Sequence, residues 1–138
     1  MKPTSISKIF LFAGLSNILG VLIFSKFFTN DVMMEAQPMV MGHFGLVAFI
    51  LWGLAYITVR QNYALVPWLL AVFVVEKLVY VLVWLNWLYS NSLGSLYEQD
   101  LFAGLFFSIY GINDLLFGLF FGFVFFKVRK SPFLVNRD

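Results

Sequence analysis

The sequence predicts an all-α integral membrane protein, built as an antiparallel bundle of four transmembrane helices in up-down-up-down order. Of its 138 residues, 62% are hydrophobic and only 12% are charged, whereas soluble domains carry about 25% charged residues. The apolar residues fall into four segments, each near or above the ~20 residues that cross a ~30 Å hydrocarbon core. Such segments form helices in lipid because a helix satisfies its own backbone hydrogen bonds.

The four predicted spans are, in chain order, about residues 9–28, 39–59, 65–89 and 101–126. The segments between them, TNDVMMEAQP, RQNY and SNSLGSLYEQD, are short, and short connections join antiparallel neighbours. No small-residue cleavage site follows the first segment, so we expect a retained helix rather than a signal peptide. No change of composition marks a boundary, and residues 1–138 are predicted to form a single transmembrane domain.

The distribution of charge predicts the orientation in the membrane. Seven basic residues would share one side of the bilayer: Lys2, Lys8, Arg60, Lys127, Arg129, Lys130 and Arg137. The other side would carry Lys26 together with four acidic residues, Asp31, Glu35, Glu98 and Asp100. Because Lys and Arg accumulate in cytoplasmic loops, both termini are predicted to be cytoplasmic.

A layer of polar residues is predicted in the middle of the membrane. Lys77 lies ten residues after Pro67, or about 15 Å along a helix. Comparable counts from the flanking charges bring residues of three helices to this depth: Asn17, Glu76, Lys77, Asn113 and Asp114. An ionised group at a helix centre costs about 2.5–3.5 kcal/mol on insertion scales, so each needs a partner.

The neighbours Glu76 and Lys77 point about 100° apart on a helix and cannot serve each other well. We therefore expect Lys77 to pair with Asp114. Glu76 is then left without a cation, which favours its protonated form, and Asn17 and Asn113 are the side chains predicted to hydrogen-bond it.

Two tyrosines extend this layer. Tyr80 lies four residues after Glu76 and Tyr110 four residues before Asp114, spacings that share a helix face. A carboxyl group beside a phenol suits proton handling or the binding of a polar ligand group. The alternative interpretation is structural, because buried ion pairs and asparagines also fix the register between helices.

Aromatic and small residues suggest a pocket and a packing face. Trp52 and Trp84 lie deeper than interfacial tryptophans and are predicted to line a pocket for an apolar ligand. Glycines recur along one face of the fourth helix: Gly104, Gly111, Gly118 and Gly122. Such a stripe lets another backbone approach closely, either inside the bundle or in a homodimer.

Several classes of chemistry are not expected. The chain has no cysteine, and its only histidine, His43, lies near the non-cytoplasmic surface as an interfacial residue or a pH sensor. We therefore predict no metal site and no cofactor. Nucleotide-binding and hydrolase motifs are missing, which makes an enzyme the less expected class. The basic residues cluster at the chain ends and predict no nucleic-acid partner.

The predicted function is therefore membrane-based. We expect binding or transport of a small or lipid-like molecule at the polar layer, with proton coupling as an option. The alternatives are an intramembrane enzyme acting on an apolar substrate and a non-catalytic accessory subunit of a membrane complex.

Overall fold

The computed structural model describes residues 1–130, which form helices and contain no β-strand. The helices are α1 (Pro3–Phe24), α2 (Asp31–Ala36), α3 (Pro38–Met41), α4 (His43–Val59), α5 (Pro67–Ser90), α6 (Leu93–Gln99) and α7 (Leu101–Lys130), with a 3₁₀ turn at Tyr63–Leu65. The all-α class is confirmed. Arg137, one of the basic residues counted above, lies outside the described residues.

Within residues 1–130, three helices are long and apolar enough to cross a membrane: α1, α5 and α7. These helices confirm the character of a membrane protein. Helix α4 is also apolar but has 17 residues, which makes it shorter than the other three. The four-span antiparallel topology and the single transmembrane domain remain predictions.

Helix α1 begins and ends earlier than the predicted span 9–28. Pro3 stands in its first turn, where a missing N–H leaves no hydrogen bond unmade. After Ser25 the chain turns through three non-glycine residues with positive φ: Lys26 (50°), Phe27 (54°) and Phe28 (65°). This conformation is uncommon outside glycine, and it ends the helix. The Ser25 hydroxyl accepts the Phe28 N–H at 3.0 Å, and its carbonyl accepts the Asn30 N–H at 2.9 Å.

Two of the predicted connections are themselves helical. The first contains α2 and α3, and the last contains α6. Each begins with a local signal: the Asn30 side chain accepts the Met33 N–H, Ser92 accepts the Ser95 N–H, and Pro38 opens α3. Ser and Asn are preferred N-cap residues because their side-chain oxygens satisfy a free N–H of the first turn. Of these short helices, α3 contributes Met39 and Val40 to one of the clefts described below.

The buried apolar residues form two clusters, one toward each end of the long helices. One cluster contains Phe10, Phe73 and Phe121, and the other contains Val21 and Phe107. Along α1, α5 and α7 the buried polar residues fall between the members of these two clusters. The polar layer predicted from residue counts therefore lies between two apolar regions.

One end of the structure is fastened by Asp100, which precedes α7. Its carboxylate accepts from the Lys26 ammonium at 2.6 Å and from the Asn30 side chain at 2.7 Å. It also accepts the Ala103 N–H at 2.8 Å and so caps α7. Burial alone would raise the pKa of Asp100, but these hydrogen bonds outweigh it and hold that pKa below its usual value.

Replacing Asp100 by alanine should lower the free energy of unfolding by about 1 kcal/mol, the usual effect of losing an N-cap. Asp100→Asn keeps a capping oxygen but cannot titrate, which makes it the matched control. Because the pKa is lowered on folding, the ionised group stabilises above the unfolded value of about 3.9, and this contribution disappears as pH falls through the folded pKa. Denaturation in detergent at several pH values should therefore show a steeper acid loss for the wild type than for Asp100→Asn. Superimposable pH profiles would contradict the assignment.

Candidate functional site

The site is centred on Lys77, a lysine on α5 with no exposed surface. Its ammonium donates to Asp114 Oδ1 on α7 at 2.5 Å, the partner predicted from the sequence. It also donates to Asn17 Oδ1 on α1 at 3.4 Å. Two rings lie over the same charge, those of Phe49 at 5.4 Å and Tyr56 at 5.1 Å. A carboxylate, an amide and two aromatic faces thus enclose the cation, which offsets its removal from water.

Glu76, the neighbour of Lys77 on α5, has a different partner from those predicted. Its Oε2 accepts a hydrogen bond from the Tyr56 hydroxyl of α4. The other oxygen, Oε1, lies 3.9 Å from the Lys77 ammonium, beyond hydrogen-bonding distance. Glu76 and Asp114 therefore both lie within 4 Å of one ammonium, and of these two carboxyl groups Asp114 is the one that hydrogen-bonds it.

Asn17 connects this cluster to α4. Its side-chain N–H donates to the Phe49 carbonyl at 3.1 Å while its oxygen accepts from Lys77. Gly14 and Gly53 make this possible because they bring the α1 and α4 backbones into contact beside Asn17. Asn17 does not contact Glu76, so the predicted amide–carboxyl bond is replaced by a carbonyl contact across the helix pair.

Two carboxylate oxygens in the cluster remain without a partner. Glu76 Oε1 and Asp114 Oδ2 are buried, and neither has a hydrogen-bond partner within residues 1–130. A buried acceptor left unpaired costs about 1–3 kcal/mol, and more when it is charged. Two carboxyl groups and one ammonium also leave one negative charge in excess when both carboxyls are ionised. One proton or one cationic ligand group would remove that excess charge, whereas a neutral donor would satisfy an unpaired oxygen without changing the charge.

Two clefts reach the cluster from the outer surface of the helices. The first, about 380 Å³, lies between α4 and α5 and is lined by Glu76, Trp52 and Tyr80, with the exposed side chains of Met39 and Phe44 also part of its wall. The second, about 260 Å³, lies between α5 and α7 and is lined by Lys77, Asp114, Gly118, Gly122 and apolar neighbours. Both linings are mainly apolar, so each cleft combines an apolar wall with a polar side chain of the cluster.

Among residues 1–130, neither tyrosine hydrogen-bonds the carboxyl group four residues away on its own helix, although Tyr80 lines the same cleft as Glu76. Tyr80 packs its ring edge-on against Phe49 with centroids 5.0 Å apart, and it lines the α4–α5 cleft rather than bonding Glu76. The Tyr110 hydroxyl donates to Gln37 Oε1 at 2.9 Å, away from Asp114. Long side chains reach partners on other helices, and spacing along one helix cannot reveal them.

Asn113 and Trp84 also lie apart from the cluster. Asn113 is half-buried and lines a separate cleft between α1 and α7, so the structure does not bring it to Glu76. The Trp84 indole covers Gly111 and donates to the Phe107 carbonyl at 2.6 Å, which makes it a packing residue between α5 and α7. Of the two predicted pocket tryptophans, Trp52 is the one in the cleft that reaches Glu76.

His43 lies away from this site. It is exposed at the start of α4, and its ring stacks on Phe28 with centroids 6.4 Å apart. This contact fits the interfacial interpretation of His43, and its role in pH sensing stays a prediction.

The glycines of α7 pack in part against the chain itself. A side chain at Gly104 would meet the Tyr97 ring, and one at Gly111 would meet Trp84. A Cβ added at Gly118 would lie 3.1 Å from Lys77 Cβ. A Cβ added at Gly122 would lie 3.9 Å from Val74, an ordinary contact distance. Gly118 and Gly122 border the α5–α7 cleft, and the homodimer predicted from this stripe would have to use that half of it.

Sequence reasoning missed Tyr56, the direct partner of Glu76. Tyr56 follows Phe49 and Gly53 at spacings of seven and three, so these residues share the buried face of α4. A tyrosine on the same helix face as a glycine indicates that its side chain turns into the bundle. A buried phenol hydroxyl then needs a hydrogen-bond partner, and this pattern could have identified Tyr56.

Comparisons of this chain with protein-family models, with curated proteins and with solved structures found no match.

Proposed function

We propose that this protein binds the polar head of a small or lipid-like molecule at the Lys77 cluster in the middle of the membrane. The observation that carries the proposal is Glu76 Oε1, a buried acceptor without a donor in the part of the chain described, beside a cleft that opens on the outer surface. A ligand hydroxyl or ammonium would supply the missing donor, and its apolar body would lie along Trp52 and Tyr80.

We infer that the protein crosses the membrane four times, with α4 as a crossing in addition to α1, α5 and α7. Helix α4 extends about 25 Å at ~1.5 Å per residue, somewhat less than a ~30 Å core. The Lys127 ammonium donates to the Met1 carbonyl at one end, and Lys26 binds Asp100 at the other, contacts that support α1 and α7 running in opposite directions. The basic residues at the Met1 end favour a cytoplasmic location for both termini.

A second candidate is a proton-coupled carrier. The observation that favours it is that Glu76 and Asp114 flank one ammonium and face different clefts. One ammonium cannot neutralise two carboxylates, so uptake of one proton would make the cluster neutral. Release of that proton would accompany the arrival of a cationic substrate. Such exchange would use Glu76, because Asp114 already bonds Lys77.

Changing Glu76 to Gln tests the proposal. The amide oxygen can still accept from Tyr56, which leaves an NH₂ where Oε1 stood, so a donor replaces the acceptor that the ligand needs. We expect labelling by a long-chain amine with a photoreactive diazirine to fall at least about tenfold, because a hydrogen bond to a charged group is lost. The measurement is mass spectrometry of the cross-linked protein in nanodiscs.

Glu98→Gln is the matched control, since it makes the same chemical change at an exposed carboxylate. A long-chain alcohol probe asks whether the site needs a cation or only a donor, and a hydrocarbon probe without a polar head reports unspecific labelling. Equal labelling of Glu76→Gln and wild type, or equal labelling by the hydrocarbon probe, would refute a polar site at Glu76.

A further inference from the structure

A further cleft, lined by charged side chains, lies at the other end of the long helices from the Lys26–Asp100 salt bridge. It measures about 590 Å³ and lies between the first turns of α1 and the chain that follows α4. Its polar lining consists of Thr4, Ser7, Lys8, Arg60, Gln61 and Tyr63. We call it the Lys8–Arg60 cleft. It shares no residue with the clefts that reach Glu76 and Asp114.

The charge of this end is one-sided. The basic residues Lys2, Lys8, Arg60, Lys127, Arg129 and Lys130 lie here, while the acidic residues among 1–130 lie in the polar cluster or toward the Asp100 end. Within that described range, neither Lys8 nor Arg60 forms a salt bridge. Two of the other cations have partners: Lys127 binds the Met1 carbonyl, and Arg129 lies 5.2 Å from the Trp68 ring. The cleft therefore presents two cations to an anion.

The depth of the two cations matches lipid phosphates. Lys8 lies nine residues before Asn17, or about 13–14 Å from the polar cluster, close to half of a ~30 Å core. Arg60 lies seven residues after Gly53, or about 10–11 Å, and its long side chain extends farther. A cleft at that depth opens where lipid headgroups meet the hydrocarbon region.

The chemistry of the lining suits a phosphodiester. Lys8 and Arg60 supply charged donors, and the Thr4 and Ser7 hydroxyls supply neutral donors from the same helix face, three residues apart. The Tyr63 ring is fixed by stacking on Phe10 at 5.6 Å, which gives the cleft a firm wall. We propose that the Lys8–Arg60 cleft binds the headgroup of an anionic phospholipid, independently of the ligand at Glu76.

The test uses the purified full-length chain in detergent, titrated with phosphatidylglycerol or phosphatidylcholine of identical acyl chains, with bound lipid counted by native mass spectrometry. Wild type should prefer phosphatidylglycerol. The double variant Lys8→Gln/Arg60→Gln should lose roughly 20-fold of that affinity, because two cations beside an anionic lipid are removed.

Lys2→Gln/Lys130→Gln is the matched control, since it removes the same charge from the same end but not from the cleft. It should stay within about twofold of wild type. An equal loss in both double variants would mean diffuse attraction and would overturn the proposal. Displacement of phosphatidylglycerol by excess inorganic phosphate would also overturn it, in favour of a soluble anion. The wild-type comparison of the two lipids decides even without a folded variant, because equal binding of both excludes an anion site.

Discussion

Lys77→Met should lower the free energy of unfolding by about 3–5 kcal/mol, the usual consequence of leaving a buried charge without its partner. Methionine fills nearly the same volume, so packing changes little, but Asp114 loses the donor at 2.5 Å and Asn17 loses the donor at 3.4 Å. Glu76 also loses the ammonium that lies 3.9 Å from its Oε1. The measurement is unfolding in mixed micelles by SDS titration, followed by tryptophan fluorescence.

A double-mutant cycle measures how strongly Lys77 and Asp114 stabilise each other. Asp114→Leu alone leaves the ammonium of Lys77 without its carboxylate, whereas Lys77→Met/Asp114→Leu removes both charges together. We expect the double variant to be more stable than the sum of the single losses predicts, because an apolar replacement of a buried pair is often nearly neutral. Additive losses would show that the two side chains do not depend on each other, and the cluster would then need another explanation.

The Lys77–Asp114 contact could be predicted from the sequence because depth in a membrane is a strong constraint. A lysine ten residues from Pro67 and an aspartate thirteen residues from Lys127 both fall near the bilayer centre, and charges there must be compensated. Opposite charge and equal depth then leave few choices. The same reasoning predicted the depth of Asn17 but not its partners, because Asn17 bonds Lys77 and the Phe49 carbonyl instead of Glu76.

The partners of the tyrosines could not be predicted in the same way. The long helices are apolar on most of their surface, so the pattern does not say which face of each helix turns inward. Rotation of α4 about its axis decides that Tyr56 reaches Glu76. The partner of Tyr110 is Gln37, which lies in a segment predicted only as a short connection and found between two short helices.

The cluster has a consequence for how a ligand would arrive. Lys77 is enclosed by residues from three other helices, and its charge is already matched by Asp114. Glu76 is hydrogen-bonded through one oxygen to Tyr56, its other oxygen has no hydrogen-bond partner within residues 1–130, and the residue lines the α4–α5 cleft. Under the proposed function, Lys77 and Asp114 maintain the helix arrangement and Glu76 is the group available for exchange. Stability measurements on Lys77 and binding measurements on Glu76 therefore address different properties.

The arrangement of these side chains depends on how closely α1 approaches α4, and Gly14→Ala should disturb it strongly. A Cβ at Gly14 would lie 2.5 Å from the Gly53 carbonyl oxygen, closer than real Cβ contacts, and this atom belongs to a backbone that cannot turn aside. The helices must separate, and overpacking of this kind costs about 1–3 kcal/mol. Asn17 lies one turn further along α1, so the same movement should lengthen its bond to Phe49 and draw it away from Lys77.

Gly20→Ala provides the matched control on the same helix. Apart from its chain neighbours and its own helix backbone, no atom of residues 1–130 lies within 4 Å of a Cβ at Gly20, so the free energy of unfolding of Gly20→Ala should stay within about 0.5 kcal/mol of wild type. Gly14→Ala/Ile57→Ala removes the flexible neighbour and leaves the Gly53 carbonyl in place, and it should remain destabilised. Recovery of full stability in that double variant would mean that the Ile57 side chain, rather than the approach of the two backbones, limits this position. Equal stability of Gly14→Ala and Gly20→Ala would show that close contact between α1 and α4 does not support the polar cluster.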